Sequence, residues 1–358
     1  LRGRARDRRF GGSQAIDLGP STILAPDIRP EPAYAIGAKS LDIVREYARG
    51  QAVSLWEAAG SCISTGALAG KAAACMHAFL ALAENLCCAT CIGDPMGTHL
   101  GVGCSDPYTA SRNGTQSMLG PRYQVNAHTG AFVAAPPHPS GGNNGRIQVD
   151  VSQLEATGGA NTTRYFGQSV YVAPDDAAAN NGDDNSAWRE LTVTGSNTTW
   201  TFGTLGATQR MQWALDAWKA ADPAVVTKNV DVPEGTAAPY DGTARVILGW
   251  RVTSLGNGTW RYEYALENAN SDRAVQAFSV PFGAGVTITN AGFHDVDFLG
   301  GDGQGNANQS AVDWTANVGA NAVAWATETF AQNANANALR WGTTYNFRFD
   351  ANVPPTSG

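Results

Sequence analysis

From residue 146 onward, the chain contains a series of short segments in which hydrophobic residues recur at every second position. The two clearest segments, 246–252 and 260–266, lie on either side of the dipeptide Asn257-Gly258. Period-two spacing gives a strand one buried face, and Asn-Gly accepts the positive φ angles of a tight hairpin turn. The sequence therefore predicts a β-hairpin here, with its apolar face against a core.

Further segments with the same spacing predict additional strands. They lie near residues 147–151, 170–172, 191–193, 200–202, 275–280, 286–289, 293–298, 322–327 and 344–349. Short strands about ten residues apart, separated by Gly- and Asn-rich turns, are typical of an antiparallel β-sandwich. One helix is predicted in this region, near 209–221, where Leu215 and Trp218 share a stripe and Asp222-Pro223 ends it.

The first 145 residues follow a different pattern. Residues 38–58 and 66–86 are rich in alanine, and their larger apolar residues recur at helical spacing. The predicted fold is therefore mainly β, with an antiparallel β-sandwich-like body and a helical, Cys-rich N-terminal part. Its divisions are an irregular Arg/Pro-rich arm at 1–35, a helical and disulfide-rich segment with a long loop at 36–145, and a β-sandwich-like domain at 146–358.

Composition and charge narrow the classes of function. Charged residues make up 15% of the chain and the formal net charge is −7, so the basic face of a nucleic-acid-binding protein is not expected. Residues 66–83 form a mostly apolar run, but Lys71 and His77 interrupt it and alanine dominates. A buried helix is therefore predicted for this run rather than a membrane span.

All six cysteines lie between Cys62 and Cys104. An even, clustered set in a Gly- and Asn-rich chain predicts disulfides formed in an oxidising compartment, and hence a secreted protein. Cys87, Cys88, Cys91 and Cys104 are the predicted cross-linking residues, and the three pairings that they allow stay open. A metal site is less favoured, because Cys88-x-x-Cys91 lacks the second cysteine pair of a zinc or iron–sulfur site.

Several stretches resemble a group of uncharacterised secreted bacterial proteins. The similar stretches are AENLCC at 83–88, LGVGCSDPY at 100–108, LGPR at 119–122, VNA at 125–127, YVAPDDA at 171–177, GFHDVDF at 292–298 and NALRWG at 337–342. The resemblance implies that the chain is secreted, to the extracellular space or the cell surface. It supplies no catalytic residue.

A second candidate site is the acidic stretch HDVD, followed by the glycine-rich sequence GGDGQGN. In a strand Asp295 and Asp297 point to the same side, and Asp302 and Asn306 lie in the loop that follows. Such oxygen ligands suit Ca²⁺, so Asp295, Asp297, Asp302 and Asn306 form the candidate calcium site. A solvated strand edge with a polar turn explains the same residues and is favoured. The acidic loop 175–184 is interpreted in the same way.

These observations predict a non-catalytic extracellular structural or surface protein that self-assembles or binds glycans. Low charge suits close packing between subunits, and exposed sheet edges offer a route for assembly. The aromatic stripe Trp260, Tyr262 and Tyr264 invites stacking on sugars, although a sandwich core is its usual place. The alternative function is a secreted polysaccharide hydrolase with Asp295 and Asp297 as its carboxylate pair.

Overall fold

The structure of the chain is a computed structural model, which describes a defined set of residues. These are 14–17, 38–47, 51–56, 74–76, 119–121, 125–131, 156–158, 163–172, 177–180, 182–196, 199–235, 242–295 and 309–355. They are mainly antiparallel β structure, as the sequence predicts.

The strands are numbered in chain order. They are β1 (Gln14–Asp17), β2 (Ala38–Tyr47), β3 (Gln51–Trp56), β4 (Ala74–Met76), β5 (Leu119–Pro121), β6 (Thr163–Val172), β7 (Ser186–Ser196), β8 (Thr199–Arg210), β9 (Val226–Pro233), β10 (Thr243–Ser254), β11 (Trp260–Asn268), β12 (Val275–Pro281), β13 (Ile288–His294), β14 (Thr315–Val318), β15 (Ala322–Ala326) and β16 (Thr343–Ala351). Helix α1 (Ala214–Ala221) lies between β8 and β9. No helix among the described residues is both long and apolar enough to cross a membrane.

The described strands form three sheets. The small sheet has the order β1-β12-β15-β14, and the central sheet has the order β13-β16-β11-β10-β9. The large sheet has the order β5-β4-β2-β6-β7-β8, with β3 paired to β2. The pairs are antiparallel except for β1 and β12, which run parallel. Neighbours in the sheets are often neighbours in sequence, as in sandwiches built from hairpins.

The predicted hairpin forms the middle of the central sheet. β10 and β11 pair without interruption from Val246–Asn268 to Ser254–Trp260. Its connection is the loop 255–259 rather than a two-residue turn, and positive φ angles occur there at Gly256 and Gly258 but not at Asn257. Glycine adopts such angles without steric cost, so this loop closes the two long strands without strain.

The central sheet is buried on both faces, which makes the body three layers deep. One face packs on the small sheet through an aromatic core, in which Phe347 lies 4.5 Å from Phe278 and 5.3 Å from Trp325 between ring centroids. The opposite face packs against α1 and the large sheet through Ile247 and Ala265. Successive residues of a strand point to opposite faces, so β10 and β11 supply both cores.

Helix α1 begins later than the sequence predicts. β8 continues to Arg210, and Met211 turns the chain with a φ of 57° before the helix starts. The helix packs tightly on the central sheet at Gly249. A Cβ atom at this position would lie only 3.3 Å from the Trp218 ring, so glycine allows the close approach. The backbone N–H of Leu215 donates to the Glu267 carboxylate at 3.1 Å. That carboxylate satisfies a free N–H of the first helical turn.

Three strands are described between residues 38 and 76. They are β2, β3 and β4, and β2 pairs with β6 over its whole length. This pairing joins residues more than a hundred positions apart, so the local spacing of apolar residues does not reveal it. The four cysteines predicted to form cross-links and most of residues 57–118 lie outside the described residues. The helical, disulfide-rich part of the chain therefore stays a prediction.

Candidate functional site

A group of polar side chains, of which Glu263 and Asn346 are buried, lies on the face of the central sheet that is turned towards α1. Glu263 on β11 is directly opposite Arg251 on β10 and Arg348 on β16. Asn346, two residues before Arg348, points to the same face and is paired with Ala265. Arg251, Glu263, Asn346 and Arg348 are called the polar cluster below. β3 of the large sheet packs over β11 and β16.

Glu263 is the acidic centre of the polar cluster. Glu263 is only 2% exposed, and its Oε1 atom has no hydrogen-bond partner among the described residues. Burial raises the pKa of Glu263 to about 7, although the nearby guanidinium groups of Arg251, Arg261 and Arg348 oppose this change. A carboxyl group with such a pKa changes its charge near neutral pH.

Asn346 is the second member with unmet hydrogen-bonding capacity. It is 2% exposed, and neither its Nδ2 nor its Oδ1 atom has a hydrogen-bond partner within the part of the chain that the structure describes. Its row of the sheet contains Ala265 and Gly249, two of the smallest residues. On the other side, His294 of β13 lies directly opposite Asn346.

Two of the arginines around Glu263, Arg251 and Arg261, are held by carboxylates. Arg251 Nε lies 2.5 Å from Asp222 Oδ2, just after the end of α1. Arg261 makes a bidentate pair with Asp350, with N–O distances of 2.9 and 3.1 Å. The Arg261 pair, together with a 2.7 Å hydrogen bond from Asn290, lowers the pKa of Asp350. These pairs hold Arg251 and Arg261 in place next to Glu263, and each sets a carboxylate beside its guanidinium group.

Asp295, the described member of the predicted calcium site, belongs to a hydrogen-bonded network at the end of the aromatic core. Its carboxylate accepts a hydrogen bond from the Asn337 amide, whose Oδ1 accepts one from the Tyr345 hydroxyl at 2.6 Å. The indole N–H of Trp314 donates to the backbone carbonyl of Asn337. Asp295 is thus a buried structural acceptor, bonded to a residue 42 positions away.

The other candidate ligands, Asp297, Asp302 and Asn306, lie outside the described residues, and so do the four cysteines predicted to form cross-links. Among the described residues, no group of three or more His, Cys, Asp or Glu side chains could hold a metal ion. Within the acidic loop, Asp183 makes an ion pair of 2.8 Å with Arg245. Both the calcium site and the disulfides remain predictions.

The predicted aromatic stripe lies in the aromatic core. Tyr262 stacks on Phe349 with 4.9 Å between ring centroids, and Tyr264 lies 5.6 Å from Phe278. Trp260 packs against the same core. These rings therefore stabilise the sandwich and do not form an exposed platform for sugars.

A second buried acid, Glu234, lies beyond the end of β9. It accepts hydrogen bonds from the Ser271 hydroxyl at 2.8 Å and the Arg273 backbone N–H at 3.0 Å. Burial raises the pKa of Glu234 to about 7, and the negative charge of Asp272 acts in the same direction, while the Ser271 hydrogen bond opposes it. Like Glu263, it is a neutralisable carboxyl group inside the fold.

Sequence reasoning missed Glu234, Glu263 and Asn346. Polar residues at every second position of β11 are the signal for Glu263, but the same pattern is typical of a strand with one solvated face. Only the third layer of the fold makes these positions buried. Because that layer includes residues far away in sequence, the pattern alone could not distinguish the two cases.

The sheet edges differ in the features that prevent pairing with another chain. β9 carries Lys228, Asp231 and Pro233, β14 has only four residues, and β13 has a register shift after Thr289. Charges, proline, short length and bulges are the usual protections of an edge. β8 has twelve residues with a single charge at Arg210, and no described strand pairs with its outer edge.

The chain matches no protein-family model, no curated protein and no solved structure.

Proposed function

We propose that this protein is a non-catalytic extracellular structural or surface protein that self-associates through the outer edge of β8. The observation that carries the proposal is the contrast between β8 and the better-protected edges β9, β13 and β14. Secretion is supported by the clustered cysteines and by the resemblance to secreted bacterial proteins. The low content of charged residues, 15%, reduces the cost of bringing two copies together.

The segment Thr199–Leu205 is the part of β8 that suits edge-to-edge pairing. It pairs with β7 in regular register from Thr199–Ser196 to Leu205–Glu190, and it contains no charged residue. The N–H and C=O groups on its outer side face away from β7. A second copy of the same segment offers a matching row of these groups.

The second copy is the proposed occupant because an antiparallel pair of identical strands closes on itself. A two-fold axis near Phe202, the middle residue of Thr199–Leu205, would place Leu205 of one copy beside Thr199 of the other. Beyond Leu205 the strand bulges, since Leu205 and Gln209 face residues of β7 only two positions apart. The bulge limits the interface to the regular segment.

Exposed apolar side chains at the same edge support this interface. Leu205 is 49% exposed, and Met211, just after β8, is 43% exposed. Among the described residues, the exposed large hydrophobic side chains include neither tryptophan nor tyrosine. The part of the chain that the structure describes thus favours association between copies over sugar binding by exposed rings. The hydrolase alternative gains no support from Asp295, whose carboxylate bonds Asn337, and it depends on Asp297.

Replacing Leu205 by lysine is the direct test of this proposal. We expect the dissociation constant for self-association to rise roughly a hundredfold, because each of the two copies loses the burial of one leucine side chain, about 1.5 kcal/mol. Sedimentation velocity over a range of protein concentrations measures the constant. Leu255→Lys is the matched control, since Leu255 is 41% exposed at the tip of the β10–β11 hairpin.

The control variant is expected to associate like the unmodified protein. The proposal is wrong if the unmodified chain is monomeric at every accessible concentration. It is equally wrong if Leu205→Lys and Leu255→Lys weaken association to the same extent.

A further inference from the structure

We infer that Asn257 is a site of spontaneous covalent modification, at which the side-chain amide is converted to a mixture of aspartate and isoaspartate. Asn257 lies at the tip of the β10–β11 hairpin, where residues 254–258 are all exposed. The reaction needs only the backbone of the protein and water, so the inference does not depend on self-association through β8.

The reaction is an attack by a backbone nitrogen on the side chain of the preceding residue. Once a hydroxide ion or a buffer base removes its proton, the nitrogen of Gly258 forms a bond to Cγ of Asn257. The bond from Cγ to the side-chain nitrogen breaks, and ammonia leaves. The succinimide ring that results takes up a water molecule at either of its carbonyl groups. Opening at the side-chain carbonyl gives aspartate, and opening at the backbone carbonyl gives isoaspartate.

The loop leaves the attacking nitrogen unhindered. Gly258 has a φ of 80°, and a Cβ atom at this position would meet nothing within 4 Å. Among the described residues, neither the Gly258 N–H nor the side-chain nitrogen of Asn257 has a hydrogen-bond partner. Glycine has no side chain to block the approach to its own nitrogen, so both the nucleophile and the leaving group are free to react.

The Asn257 side chain is folded back along the backbone that attacks it. Its Oδ1 atom accepts a hydrogen bond from the backbone N–H of Thr259 at 3.2 Å. The ring that this hydrogen bond closes contains both Cγ of Asn257 and the nitrogen of Gly258, so the two reacting atoms lie within one tight turn. A donor at Oδ1 also draws electrons away from Cγ, which makes this carbon a better electrophile.

The same turn occurs at two other asparagines, neither of which is followed by glycine. Oδ1 of Asn333 and Oδ1 of Asn126 each accept a hydrogen bond from the backbone N–H two residues later, at 2.9 and 3.0 Å. Both asparagines precede an alanine, and the amide nitrogen of Asn333 also donates to Glu328 at 2.7 Å. They therefore separate the effect of Gly258 from the effect of the turn.

The modification adds a negative charge to the tip of the hairpin. No charged residue lies between Arg251 and Arg261, so the new carboxylate changes the charge of this stretch. β10 and β11 stay paired as far as Ser254–Trp260, below the exposed tip. We therefore expect the melting temperature to stay unchanged, and copies of the chain to differ in charge with age but not in fold.

Peptide mapping of the aged full chain by mass spectrometry tests the inference. The purified protein would be kept at physiological temperature in mildly alkaline buffer, and the loss of each side-chain amide would be followed with time. We expect Asn257 to react about tenfold faster than Asn333 and Asn126, because only Asn257 is followed by an unhindered nitrogen. Methylation by an isoaspartyl methyltransferase would identify isoaspartate in the product. The rate should fall in mildly acidic buffer, because the nitrogen attacks only after it loses its proton.

Two glycine substitutions in the same loop connect the rate to the attacking nitrogen. Gly258→Ala should slow the reaction about tenfold, because a methyl group then hinders that nitrogen. Gly256→Ala is the matched control, since Gly256 has a φ of 79° and equally open surroundings but does not supply the nitrogen. It should react as the unmodified chain does, and near-ultraviolet circular dichroism would check the fold of both variants.

Three outcomes would overturn the inference. The first is an Asn257 amide that stays intact in mildly alkaline buffer. The second is loss of the Asn333 or Asn126 amide as fast as that of Asn257. The third is an equal rate in the Gly256→Ala and Gly258→Ala variants.

Discussion

Replacing Trp325 by alanine is expected to lower the free energy of unfolding by about 4 kcal/mol. The Trp325 ring is fully buried, and its centroid lies 6.0 Å from that of Phe278, 5.3 Å from Phe347 and 6.4 Å from Phe349. These neighbours belong to both sheets of the aromatic core, so the cavity left by truncation cannot close unless a paired strand moves. Equilibrium unfolding in urea measures the change.

A comparison of two tryptophan-to-phenylalanine variants separates packing from hydrogen bonding. Trp314 and Trp325 are both buried, but Trp314 donates its indole N–H to the Asn337 carbonyl, whereas the Trp325 N–H has no partner among the described residues. Trp314→Phe should therefore be more destabilising than Trp325→Phe by about 1–3 kcal/mol, the cost of an unbonded buried carbonyl. Equal effects would contradict the assigned packing of this core.

The stability of the folded chain is expected to fall as the pH rises from about 4.5 to above 7. Burial raises the pKa of Glu234 and of Glu263 from 4.5 to about 7. Between these values the folded state holds protons that the unfolded state has released, so each rise in pH favours unfolding. Each group accounts for a loss of about 3 kcal/mol, because one pKa unit corresponds to about 1.4 kcal/mol.

Isosteric amides test the assignment of this pH dependence. Glu234→Gln and Glu263→Gln cannot ionise, so each should remove about half of the decline that unfolding measurements show between pH 5 and pH 8. Asp350 is not expected to contribute in this window, since its pKa is lowered from 3.8 and its stabilising charge is lost only at more acidic pH. A profile that stays unchanged in both variants would contradict the buried positions of these carboxyl groups.

The sequence predicted the elements that depend on residues close to one another in the chain. Alternation around Asn257-Gly258 predicted the central hairpin, and it also predicted the side of β11 that enters the aromatic core. β9 was not predicted, because Lys228, Asp231 and Pro233 resemble a loop more than a strand. These same residues protect an edge strand, which is the position that β9 occupies in the central sheet.

The features that the sequence did not predict depend on contacts between distant residues. The pairing of β2 with β6 joins residues more than a hundred positions apart, so the local spacing of apolar residues does not indicate it. Asp295 was a candidate calcium ligand, with a solvated strand edge as the favoured interpretation, whereas its side chain is buried and its described partner, Asn337, is far away in sequence. Glu263 was not predicted as a site residue, because only the third layer of the fold buries it.

Hydrogen exchange at the backbone amides of Thr199–Leu205 tests self-association through β8 most directly. In a strand, alternate N–H groups of this segment point towards β7 and away from it. We predict that the outward amides exchange quickly in dilute protein and become protected as the concentration rises, while those bonded to β7 stay unchanged. Equal exchange of the outward amides at low and high concentration would contradict the account.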